Sequence, residues 1–116
     1  MSQQIVGWVE VKTDRWRAVI KVENLVRNVD NAGHRHFFSF PPSRSGVPPD
    51  AARETKYDLD KDDGYGGASF RTWTEMNSSG WEQLGLAEDW LVLLEMMRSL
   101  GKVYGDYNVR LIVTVV

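Results

Sequence analysis

The chain has 116 residues, of which 42% are hydrophobic and 26% charged, with a formal net charge of −2. That is the size of one ordinary domain, 1–116, with apolar content enough for a core. The absence of cysteine excludes a disulfide scaffold, a thiol nucleophile and a cysteine-based zinc site. Net acidity argues against general nucleic-acid binding. No apolar run approaches the roughly 20 residues of a membrane helix. Met1–Gln4 carry neither a basic nor an apolar stretch, so no signal peptide and a cytoplasmic location are expected.

Residues 5–12 alternate: Ile5, Gly7, Val9 and Val11 share one face, and Val6, Trp8, Glu10 and Lys12 the other. Residues 15–23 alternate too, with Trp16, Ala18, Ile20 and Val22 opposite Arg17, Val19, Lys21 and Glu23. Thr13-Asp14 breaks the pattern and predicts a hairpin that brings Glu10 near Arg17. Residues 24–33 read as one helical turn ending in a loop, and His34–Phe40 as a strand stopped by Pro41 and Pro42. The stretch 41–69 is the least regular, with all four prolines. A short helix is expected there at 49–56, opened by Pro49-Asp50. Residues 70–74 alternate as a further strand. Ser79 and Glu82 have capping-box spacing and start a single turn.

The main helix spans about Leu86 to Tyr104. Trp90, Leu93, Leu94, Met97, Leu100 and Tyr104 form its apolar stripe. Gly105 suits the left-handed end, and Tyr107–Val116 reads as a strand that is apolar on both faces. Such a strand is central or covered by a partner. The expected class is α+β: an antiparallel sheet starting with an N-terminal hairpin, packed against one long C-terminal amphipathic helix, with a long irregular middle segment. The apolar last strand also predicts self-association, of which a two-fold homodimer is the commonest form.

Four short segments occur in order: Gly7-Trp8-Val9-Glu10, Gly46-Val47-Pro48-Pro49-Asp50, Ser69-Phe70-Arg71-Thr72-Trp73-Thr74-Glu75, and Tyr104-Gly-Asp-Tyr-Asn-Val-Arg110. Together they resemble a family of small uncharacterised bacterial and phage proteins. The resemblance implies no activity. The chain departs from the pattern at Val113-Thr-Val-Val116, where the family would carry an aromatic and an acidic residue.

Several constellations are too incomplete to carry chemistry. Asp58-Leu-Asp60-Lys-Asp62-Asp63-Gly64 starts like a calcium loop, but the sixth position is Asp63 and the twelfth is Ser69. His34 and His36 share a strand face without further ligands pointing to a metal, and His36 beside Arg35 suits an anion instead. Gly64-Tyr-Gly-Gly67 lacks the Lys-Ser/Thr of a phosphate-binding P-loop. No serine sits in a nucleophile elbow. Neither a catalytic residue, a metal site nor a cofactor is therefore assigned, and an enzyme ranks last.

What remains is arginine mixed with aromatic residues in or beside the irregular middle. Arginine binds phosphate bidentately and rings stack on bases. The candidate ligand-binding residues are Arg35, His36, Arg44, Tyr65, Arg71 and Trp73. The expectation is a non-catalytic binding protein for a small anionic, nucleotide-like ligand. With a phage origin, anti-defence sequestration of a nucleotide immune signal would follow. The alternative is a protein-interaction module inhibiting a host protein through the acidic stretches 54–63 and 82–95.

Overall fold

The alternating patterns at the two ends of the chain become neighbouring strands. The computed structural model describes residues 5–26, 44–61 and 68–115. The strands are β1 (Ile5–Lys12), β2 (Trp16–Lys21), β3 (Arg44–Ser45), β4 (Ser69–Thr72) and β5 (Val109–Val115). The helices are α1 (Arg53–Lys61), α2 (Trp73–Asn77) and α3 (Glu88–Tyr104). Among the described residues the sheet has the order β2-β1-β5-β4-β3, antiparallel at every pairing. The fold is α+β, with the expected hairpin at its start and the long helix near its end.

The central strand β5 has both edges paired, and both of its faces are buried. Val109, Leu111 and Val113 join Ile5, Val9 and Val11 in the larger core, with Trp73, Met76, Trp90, Leu93, Leu94 and Met97 from α2 and α3. On the opposite face, Ile112 packs with Val6, Ala51, Leu59 and Ala68 under α1. This explains why a strand apolar on both sides needs no second copy, so the stated reason for pairing through it is gone.

Three local expectations change. Thr13, Asp14 and Arg15 separate β1 from β2, and a bulge shifts the pairing so that Val9 opposes Ile20 while Glu10 opposes Ala18. The extra residue turns the two halves of β2 to different faces: Ile20 packs on the larger core, whereas Trp16 reaches Arg110 on the other side. Arg17 consequently opposes Val11 rather than Glu10. Second, the strand expected over 70–74 stops at Thr72. Thr72 Oγ1 accepts from the Glu75 amide (3.3 Å) and Glu75 Oε1 accepts from the Thr72 amide (3.1 Å). This reciprocal cap starts α2. Ser79 does not cap; left-handed Gly80 precedes the single 3-10 turn at Trp81–Gln83. Third, the helix expected at 49–56 runs over 53–61, because its amino end is satisfied from elsewhere. The turn expected over 24–33 is met at its start by a 3-10 turn at Val22–Asn24; residues 27–33 and the strand expected over 34–40 lie outside the described residues.

Helix α3 buries Trp90, Leu93, Leu94, Met97 and Gly101, and Gly105 leaves it at φ 95°. A side chain at Gly101 would lie 2.9 Å from Trp73 Cδ1, so this glycine lets the indole pack against the helix. No helix among the described residues is long and apolar enough to cross a membrane.

Gly7 sits where β1 crosses β5 opposite Val113. A Cβ there would run into the carbonyl oxygen of Ile112. Gly7→Ala is expected to cost about 1–3 kcal/mol, read as a lower urea midpoint at unchanged slope. An unshifted midpoint would show that the strands have room to part.

Candidate functional site

Glu10 and Arg110 lie directly opposite one another on β1 and β5, on the sheet face beneath α1. Both are buried, Glu10 at 0% and Arg110 at 5% exposure. Arg110 Nε donates to Glu10 Oε1 at 2.9 Å. Nη2 lies 2.7 Å from the same oxygen, as a close ion pair without the alignment of a hydrogen bond.

The second carboxylate oxygen faces the start of α1. Ala51-Ala52 offers no capping side chain, so Glu10 Oε2 accepts from the Ala52 amide (2.8 Å) and the Thr55 hydroxyl (2.6 Å). A carboxylate from the sheet thus caps a helix 42 residues later, at the end where the dipole favours negative charge. Trp8 Nε1 adds a second tie, donating to Asp58 Oδ2 at 2.7 Å.

Arg110 is enclosed from the hairpin side. Its Cζ lies 3.8 Å from the Trp16 ring centroid and 5.9 Å from that of Phe70. The flat guanidinium therefore stacks on indole while its edge meets the carboxylate. Nη1 is 3.1 Å from Asp50 Oδ1, whose side chain remains 62% exposed.

Above this centre, the hairpin loop and the start of α1 leave a cleft of about 530 Å³. Arg15, Trp16 and Arg17 line one wall; Asp50, Arg53 and Glu54 line the other. Arg17 is clasped by the loop, donating to Asp14 Oδ1 at 3.1 Å and to Thr13 Oγ1 at 3.2 Å. The Thr13 hydroxyl, and then Arg17, lower the Asp14 pKa to about 2. The clasp therefore stays charged through neutral pH and is lost only as pH falls through that value. Among the described residues Arg15 and Arg53 have no ion-pair partner. A second hollow of about 410 Å³ adjoins across Arg53 and Glu54, with Trp8, Lys21 and Tyr57 around it. These walls offer guanidinium donors beside an aromatic face, groups that can hold an anion.

The residues singled out from sequence do not converge here. Arg35, His36 and Tyr65 lie outside the described residues. Arg44 is placed by its backbone on β3, opposite Phe70. Arg71 opposes Leu111, faces away from the cleft, and lies buried with Nη1 3.8 Å from Glu75 Oε2. Trp73 is 1% exposed, with its ring centroid 6.2 Å from that of Trp81. That ring is core and has no open face for stacking a base. Asp58, first position of the calcium-like stretch, is engaged by Trp8.

Sequence reasoning missed Glu10, Asp50 and Trp16 as neighbours; Arg53 belonged to the arginine-rich middle but was not among the candidate site residues. The available signal was polar: one carboxylate within β1 and one guanidinium within β5, both in otherwise apolar strands. Comparison with protein-family models, curated proteins and solved structures gives no match.

Thr55→Val keeps the side-chain shape but removes one of the donors to buried Glu10. A loss of about 1.5–3 kcal/mol in unfolding free energy is expected for a bond to a charged group, measured by urea denaturation. Unchanged stability would show that Glu10 does not depend on this hydroxyl.

Proposed function

We infer that the protein binds a small anionic ligand, without catalysis, in the cleft between the hairpin loop and α1. The observation that carries this reading is Arg15, Arg17 and Arg53 arranged with Trp16 around about 530 Å³. That volume falls within the range of small-molecule sites. Arginine supplies forked donors suited to phosphate, and a tryptophan face suits a planar ring, so the ligand class is nucleotide-like. The cleft also carries Asp50 and Glu54. This balance favours a compact ligand with localised charge over a long polyanion. Given a phage origin, sequestration of a nucleotide immune signal is the biological use we propose.

A second reading has its own observation. On the outer side of α3, Val92, Met96 and Val103 are exposed. Glu88, Leu91, Val92, Glu95, Met96 and Ser99 there border a hollow of about 360 Å³. An apolar strip edged by acid supports a protein-interaction module that inhibits a host protein.

The two readings separate in a thermal-shift screen of linear and cyclic nucleotides. Anion binding predicts a concentration-dependent rise in Tm for at least one nucleotide, diminished by Arg53→Ala. The absence of stabilisation by any of them at millimolar concentration would sink the first reading and leave the second.

A further inference from the structure

Behind the cleft wall formed by Trp16 and Asp50 lies the buried guanidinium of Arg110, in contact with both. Arg110 is held on three sides: Glu10 takes Nε and Nη2, Trp16 covers its face, and the β5 backbone fixes its root. Its remaining edge, Nη1, meets only Asp50 among the described residues. The two carboxylates differ in kind. Glu10 is fully buried and further fixed by Ala52 and Thr55. Asp50 sits on the cleft wall ahead of α1, is mostly exposed, and meets Arg110 as an ion pair without another ion-pair partner among the described residues.

The charges are also unequal. Around Arg110 one guanidinium faces two carboxylates, Glu10 and Asp50. Glu10 has donors of its own from the start of α1. Asp50 is therefore the weakly held member, a solvated carboxylate resting on a preorganised donor.

We propose that Asp50 is an internal stand-in for the ligand, occupying the donor edge of Arg110 that a phosphate group takes when it enters the cleft. This inference rests on the anion-binding reading and deepens it by naming Arg110 as the buried phosphate contact and Asp50 as its competitor. The phosphate replaces one carboxylate oxygen on Nη1 while Asp50 swings to solvent. Glu10 keeps its hold on Nε and Nη2, so the fold is undisturbed. The ring of the ligand lies along the wall formed by Trp16, and Arg15 and Arg53 complete the neutralisation. Asp50 thereby sets a threshold. A neutral nucleoside cannot displace it, and a weakly charged one competes poorly.

The test is calorimetric titration of 5′-AMP and of adenosine into the wild-type protein, Asp50→Asn and Glu54→Gln. Both substitutions remove one negative charge from the cleft, but only the first touches Arg110. Because a half-exposed ion pair is worth up to about 1 kcal/mol, Asp50→Asn should tighten 5′-AMP about fivefold. Glu54→Gln should tighten it less than about twofold, as expected of a screened exposed charge. Adenosine should be unaffected by either change. Equal gains in the two variants would mean that only the general field of the cleft matters, and would overturn the proposal. So would equal affinity for 5′-AMP in all three proteins, although the binding reading would then survive. No 5′-AMP binding by any of the three overturns the proposal, and with the nucleotide screen also silent it removes the underlying reading.

Discussion

The arrangement depends on one buried ion pair between strands almost a full chain length apart. Glu10 and Arg110 are separated by 100 residues in sequence and by 2.7 Å at their closest atoms. Two charges removed from water carry a desolvation cost of several kcal/mol each. That cost is offset by the donors gathered around Glu10, although Arg110 Nη2 is left with an ion-pair contact and no aligned hydrogen bond. Glu10 receives donors from the sheet and from the start of α1, and Arg110 is stacked against the Trp16 indole. The same pair therefore does three jobs. It sets the register of β1 against β5, gives α1 the cap its own sequence lacks, and holds a guanidinium behind the wall of the cleft.

The cleft inherits its shape from that anchoring. The carboxylate of Glu10 draws the Ala52 amide and Thr55 down onto the sheet. Asp50, Arg53 and Glu54 are thereby presented toward the hairpin. The bulge at Val9/Glu10 does the complementary work. Without the extra residue in β2, Trp16 would share a face with Ile20 and point into the larger core. With it, Trp16 faces Arg110 and closes the other wall. A backbone irregularity and a buried charge thus cooperate to make one surface.

Much of the scaffold was legible from local pattern. The α3 stripe, the two terminal strands and the hairpin each follow from spacing alone, and the apolar character of both β5 faces anticipated a central strand. What failed was what depends on distant partners. Residues 70–74 alternate like a strand, yet the Thr72–Glu75 cap turns them into α2 after Thr72. The start of α1 could not be read from Pro49-Asp50, because its cap is contributed by Glu10. The candidate site was misplaced for the same reason. Arg71 and Trp73 look like a binding pair in sequence, but β4 directs Arg71 to the α3 side and Gly101 opens a berth for the Trp73 ring. Glu10 was matched to Arg17 by hairpin register, whereas a one-residue bulge and a strand 100 residues later supplied its actual partner.

The most direct measurement is a double-mutant cycle at this pair, using Glu10→Leu, Arg110→Met and the combined variant, with unfolding free energies from urea denaturation. Each single change strands a buried charge and should cost about 3–5 kcal/mol. The combined variant should be more stable than the sum of the two losses by well over 1 kcal/mol, since neither charge is then left alone. Losses that add within about 0.5 kcal/mol would contradict the account, because they would mean that Glu10 and Arg110 are held independently.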